Sequence, residues 1–186
     1  PADPPGDKGN GVHLSMLTTR PEAPTVRIRW LRTARHSRAG LALVETQTND
    51  RRVVIAGLKA STHVQGLFVG RAKEARGRPS VEMAGVEVTR AGYGVQMQQG
   101  GELDVVGGYF EDVAGMVTAV ESGTVTCRDL RAGPGTSWGL FAAEAPSVNV
   151  AESCIPSAMT WHAGDVLVQD SHIGPGLSWS HDDAAA

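Results

Sequence analysis

The sequence predicts an all-β chain, a parallel β-helix solenoid of about seven coils with three short strands in each coil. Three observations carry that expectation. Val81-Glu82-Met83, Leu103-Asp104-Val105 and Val125-Thr126-Cys127 open units that begin 22 residues apart, at 81, 103 and 125. Self-similarity at a fixed period of this size marks a repeat architecture rather than a core folded once. A second motif, glycine followed by apolar–any–apolar, alternates with the first: Gly94-Val95-Gln96-Met97, Gly115-Met116-Val117-Thr118 and Gly139-Leu140-Phe141-Ala142. Finally, apolar residues alternate with a period of two inside each unit, which is the strand period, and no helical period competes with it.

Taken in order, Pro1 to Asn10 holds three prolines and two glycines among charged residues and reads as a disordered lead-in or linker. Gly11-Val12-His13-Leu14 supplies the first glycine motif, and Thr18 to Pro24 a loop. Valine-type starts then fall at Val26, Val53, Val81, Leu103, Val125, Val148 and Val166. Apolar residues recur within a coil at offsets 0, 2, 5 and 7, as in Val81, Met83, Val86 and Val88, and at 0, 2 and 5 in the coils opened by Val26, Val53 and Val125. The step from 2 to 5 shifts the phase by one residue, as a tight bend between two short strands does. The glycine motif then supplies the third strand. Between Arg71 and Pro79 a charged stretch bulges out of the stack and lengthens that coil to 28 residues, from 53 to 81. The domain is expected to span 11–181, with 182–186 as a disordered tail. The leucine-rich repeat competes at this period but needs a Leu-x-x-Leu-x-Leu run, which no coil contains.

Composition bounds the function. A chain of 186 residues is one domain's worth, and 41% hydrophobic content with a net charge of −3 suits a soluble domain without a nucleic-acid partner. The looser basic zones, Arg27–Arg38 and Arg71–Arg78, read as solvated edges. No apolar run approaches the ~18 residues of a membrane span, and no membrane partner is expected. No signal-peptide pattern stands at the N-terminus. A chain running from Pro1 to Ala186 reads as an excised or processed segment, and the compartment stays open. Cys127 and Cys154 are too few for a disulfide scaffold and are expected to be free, buried thiols. No cofactor is implied.

Val-x-Val strands followed by Gly-Leu-x-Leu strands, at about 22 residues per coil from roughly Gly11 to Ser180, resemble the right-handed parallel β-helix of the pectin-lyase-like superfamily. The resemblance implies that the Gly-Leu-x-Leu strands build a sheet whose outer face carries substrate, usually an acidic polysaccharide. Stacked strands lie about 4.8 Å apart, so a site would be a column of residues at one position in adjacent coils. With Leu41/Leu43, Leu67/Val69, Val95/Met97, Leu140/Ala142, Met159/Trp161 and Leu177/Trp179 pointing inward, the outward column reads Ala42, Phe68, Gln96, Val117, Phe141, Thr160 and Ser178. It contains no carboxylate, whereas glycoside hydrolysis needs two. The superfamily's Asn-Thr-Asp, Gly-Asp-Asp, Gly-His-Gly and Arg-Ile-Lys motifs are absent. Thr48-Asn49-Asp50 and His181-Asp182-Asp183 come nearest, at the wrong offset and at the terminus respectively.

Two candidate sites follow. Just past the column, Glu121 and Glu144 fall on successive coils, with His162 and His181 at about the same height. Two carboxylates and a neighbouring histidine are the groups that general acid–base chemistry uses, although residues at a strand end also serve simply as solvated turns. Their spacing does not impose the convergence of a metal site, and no metal is expected. On the sheet face itself, Phe68, Gln96, Phe141 and Thr160 are the expected ligand contacts, because exposed aromatic rings stack on sugar faces. Tyr93, Trp138, Trp161 and Trp179 lie in or beside the same strands, the last two as core or end plugs. The expected function is a non-catalytic solenoid module presenting a flat parallel sheet to a carbohydrate or protein partner. The alternative is a polysaccharide lyase, hydrolase or epimerase using Glu121, Glu144, His162 and His181.

Overall fold

The structure, a computed structural model, describes residues 9–16, 25–45, 51–73 and 75–180. The expected loop at 18–24, Thr48-Asn49-Asp50, His181, the tail and nearly all of the lead-in lie outside the described residues. Among the described residues the chain is all-β, with no helix. Its strands are β1 (Val12–Met16), β2 (Val26–Ala34), β3 (Ala39–Glu45), β4 (Arg51–Arg71), β5 (Pro79–Gln98) and β6 (Leu103–Val120). They continue as β7 (Val125–Ala132), β8 (Trp138–Ala143), β9 (Ser147–Ala151), β10 (Cys154–Trp161), β11 (Asp165–Gln169) and β12 (His172–Ser180). All twelve belong to one sheet, and their pairings are parallel.

Register follows the repeat. Val26, Val53, Val81, Leu103, Val125, Val148 and Val166 are paired one to the next along the sheet. A second column runs from Val12 through Leu41, Leu67, Val95, Val117, Leu140 and Ala158 to Leu177. The side-chain period of two makes a one-residue slip costly, because it would move every apolar residue to the wrong face. The residues at offsets 0, 2, 5 and 7 accordingly form the core: Val81, Met83, Val86 and Val88 are buried, as are Leu103, Val105 and Phe110.

The phase break at offset 4 is a single left-handed residue in each unit. Trp30, Gly57, Gly85, Gly107, Asp129, Glu152 and Asp170 all have positive φ, between 46° and 87°. That conformation costs a non-glycine residue about 1–2 kcal/mol, which glycine avoids at Gly57, Gly85 and Gly107. The expected three short strands per coil are corrected in the middle of the chain. There β4, β5 and β6 run as continuous bent ribbons of 21, 20 and 18 residues. Adjacent ribbons kink at the same position, so the ladder passes through the corner without breaking. Between Arg71 and Pro79 no strand runs among the described residues: β4 ends at Arg71, and pairing resumes with Arg51 opposite Pro79, while Ala75 within the stretch is buried.

Two placements on the glycine-motif strands are corrected. Val117 and Thr160, expected outward, are buried, while Met159 and Trp161 are 48% and 52% exposed. In β6 the glycine stands one place earlier in the register: Gly115 pairs with Tyr93 and Trp138, so Val117 pairs with Val95 and Leu140 and takes the inward phase. In β10 Ala158 pairs with Leu140, which turns Ala158 and Thr160 inward. Trp161 is thus no plug; the side chain of Trp179 lies outside the description.

A candidate ligand-binding face

Register defines the outward column on the glycine-motif strands as Ala42, Phe68, Gln96, Thr118, Phe141 and Met159. Four of its members, Gln96, Thr118, Phe141 and Met159, line a depression of about 450 Å³ together with Tyr93 and Trp138. The two rings meet edge to face, with centroids 5.9 Å apart and planes at 60°, the arrangement that the ring quadrupoles favour. They belong to units two strands apart. The residue between them is Gly115, which pairs with Tyr93 on one side and Trp138 on the other. A Cβ at Gly115 would come within 2.1 Å of Trp138 Cζ2, so the absent side chain is the room the indole occupies.

Polar groups sit among the rings. Gln65 Nε2 donates to Gln96 Oε1 and fixes that amide at one side of the depression. Thr118 is 8% exposed, and its hydroxyl has no hydrogen-bond partner. A buried hydroxyl without a partner is costly, and the cost is removed when something supplies the missing bond. Among the expected contacts, Gln96 and Phe141 therefore line the depression. Thr160 faces the core instead, and Met159 takes the outward place. Phe68 is next to Gln96 in the column but does not line the depression; its ring folds over Gly70, where a Cβ would meet Phe68 Cζ at 2.9 Å.

The structure brings Glu121, Glu144 and His162 to one corner, beyond the ends of the same strands. Gln99, Glu121, Glu144 and His162 have φ of 56°, 51°, 54° and 47°. Backbone hydrogen bonds carry this corner from unit to unit: Glu121 N donates to Ala143 O at 3.0 Å and Glu144 N to Trp161 O at 2.9 Å. Side chains add a polar ladder. Arg71 Nε donates to Gln99 Oε1 at 3.0 Å, and Gln99 Nε2 donates to Glu121 Oε2 at 2.8 Å. His162 lies against Trp161, with ring centroids 5.6 Å apart. Glu121, Glu144 and His162 are all exposed, and none lines the aromatic depression. Among the described residues, no group of three or more His, Cys, Asp or Glu is placed to hold a metal ion.

A second depression, of about 410 Å³, lies over the first strands of β4, β5 and β6, lined by Arg51, Arg52, Ser80, Glu82, Glu102 and Asp104. Arg52 pairs with Glu82, and burial followed by repulsion from Glu82 pushes the Asp104 carboxyl above its ordinary range, against the pull of Arg128. Arg51 and Arg52 are thus both taken up by ion pairs, with Glu45 and Glu82.

Tyr93, Trp138 and Gln96 were legible as residues near the sheet face. Thr118 and Met159 were hidden by the one-residue phase changes in β6 and β10. The signal for the Tyr93–Trp138 pair was Gly115, a glycine placed between two aromatic positions once the units are aligned. No family model, curated protein or solved structure matches this chain.

Proposed function

We propose that the chain is a parallel β-helix solenoid module that binds a carbohydrate on the outer face of its glycine-motif strands, without catalysing a reaction on it. The solenoid reading is supported by columns of seven and eight residues in parallel register and by a left-handed corner at offset 4 in the seven units that open at Val26 to Val166. The binding reading rests on one observation above all: Tyr93, Trp138, Phe141 and Met159 enclose a depression in which a buried Thr118 hydroxyl lacks a hydrogen-bond partner. A pyranose ring presents an apolar face to aromatic groups and hydroxyls at its edge, which matches rings interleaved with Gln96 and Thr118. The pectin-lyase-like resemblance supports the same choice of face.

The enzyme reading would require Glu121 or Glu144 to reach the bound sugar, and both stand on an exposed corner outside the depression. Glycan-array retention tests the proposal. Trp138→Ala and Phe141→Ala should each weaken retention on the order of tenfold, while Glu121→Gln with Glu144→Gln leaves it unchanged. Retention indifferent to both aromatic changes would sink the binding reading. Turnover of a uronate or neutral polysaccharide that disappears with the paired glutamate change would establish the enzyme in its place.

A further inference from the structure

Charge is distributed unevenly across the sheet. Arg27, Arg29, Arg32, Arg35 and Arg38 lie on β2 and the turn after it, all exposed, and none forms an ion pair with another described residue. At the other end, no lysine or arginine occurs after Arg131. Glu144, Glu152, Asp165 and Asp170 are all exposed there. The two ends are the two edges of the sheet. β2 pairs with β4 and β11 with β9, and the path β2–β4–β5–β6–β7–β9–β11 spans six strand spacings, roughly 29 Å.

Among the described residues, both edges leave apolar columns partly uncovered. Val166 and Val168 continue the columns in which Val148 and Val150 are buried, yet they are 40% and 37% exposed. On the first edge, Val26 and Ile28 occupy the same columns and are only partly buried. The left-handed corner begins at the basic edge with exposed Trp30, between Arg29 and Arg32, and ends at the acidic edge with Glu152 and Asp170. Each edge therefore presents the same two apolar columns, with opposite charge at the same corner.

We propose that the acidic β11 edge of one copy binds the basic β2 edge of a second copy, so that the protein assembles head to tail. The proposal is independent of ligand binding, which uses the outer face of the sheet. Strand order gives the contact its character. β1 stands one strand beyond β2, because β1 reaches β4 through β3 while β2 pairs with β4 directly. β11 and β12 end level, each three strands from β6. The facing edges meet first at β1 and β12, and β2 stays about one strand spacing, ~4.8 Å, further from β11 than a ladder partner would be. Arginine side chains bridge that gap to Glu152 and Asp170, which makes the assembly sensitive to salt. An interface between two different edges does not close on itself, so the product is an open series rather than a symmetric dimer.

Sedimentation equilibrium on the whole chain tests this. In ~50 mM NaCl the average mass should rise with concentration past the dimer, and in ~500 mM NaCl it should fall towards the monomer. Arg29→Glu with Arg32→Glu, and separately Glu152→Lys with Asp170→Lys, should each weaken association on the order of tenfold or more. An equimolar mixture of the two charge-reversed proteins should recover it. A monomer at every concentration in low salt, a mass that saturates at a dimer, or assembly indifferent to salt would overturn the proposal. So would folded charge-reversed proteins that fail to recover on mixing. If far-UV circular dichroism shows either of them unfolded, the salt and concentration series on the unmodified protein decides the matter.

Discussion

At the scale of the residue, burial changes what a titratable group can do. Burial holds the Asp104 carboxyl above its ordinary range, so the folded protein binds its proton more tightly than the unfolded chain does. For a raised carboxyl the sign is unfavourable at neutral pH: stability falls as pH rises from the unfolded value towards the folded one, and the loss persists above both. Asp104→Asn should therefore stabilise the protein at pH 7, by about 0.5 kcal/mol or less for a half-exposed group, and remove that part of the acid-side pH dependence. Urea melts across the acid range would show it; a less stable Asp104→Asn protein at pH 7 would contradict it. Cys127 is a stronger case. It is fully buried, and burial pushes its thiol up to about 12. Iodoacetamide at neutral pH should thus modify the half-exposed Cys154 alone in the folded protein and both cysteines after unfolding, as read by intact mass.

At the scale of the element, two contacts decide how strands are held. Glu45 ends β3 and Arg51 opens β4, and their side chains form an ion pair of 3.0 Å that is almost wholly buried. Replacing it with apolar groups could be neutral, but removing one partner strands the other charge without water. Arg51→Ala should cost about 3–5 kcal/mol in chemical denaturation, far more than Lys59→Ala, whose partner Glu87 is exposed. A loss for Arg51→Ala as small as that of Lys59→Ala would show that water reaches the pair. Gly115 matters in a different way, since it leaves space for the Trp138 ring beside Tyr93. Gly115→Ala should displace the indole, shift tryptophan fluorescence and weaken ligand retention about as much as Trp138→Ala. Gly85→Ala should leave retention unchanged, because Gly85 faces open space at a corner away from the depression.

At the scale of the whole molecule, the proposed solenoid predicts a stability close to a sum of unit and nearest-neighbour terms. Excising Leu103–Thr124 removes one 22-residue period and brings β5 into the register that β6 now holds, with Val81 opposite Val125. That shortened chain should fold cooperatively at a lower Tm. Excising only Leu103–Val113 should not, because it would set corner against strand and apolar against polar phase. Thermal melts by circular dichroism distinguish the two, and equal behaviour of both deletions would count against a stack of equivalent units.

The period, the apolar offsets and the valine column from Val26 to Val166 were legible in the sequence because each depends only on which residues recur and how far apart. The bend at offset 4 was legible too, as a one-residue phase shift, although nothing marked Trp30, which is 86% exposed, as its first member. The site was only partly legible. Gln96 and Phe141 could be placed by counting from the glycine motif, but Thr118 and Met159 could not. The glycine of β6 stands one place early in the register and the unit holding β10 is shortened, so counting from the glycine motif gives the wrong phase; phase is fixed by pairing with neighbouring strands rather than by local pattern. Glu121, Glu144 and His162 were correctly placed at one height, yet only tertiary structure separates an exposed corner from the depression beside it. The sequence by itself determined an all-β chain of recurring strands, because burial requires that periodicity. Which side chains share a face across those strands was decided by register, which the chain acquires only when its units pack together.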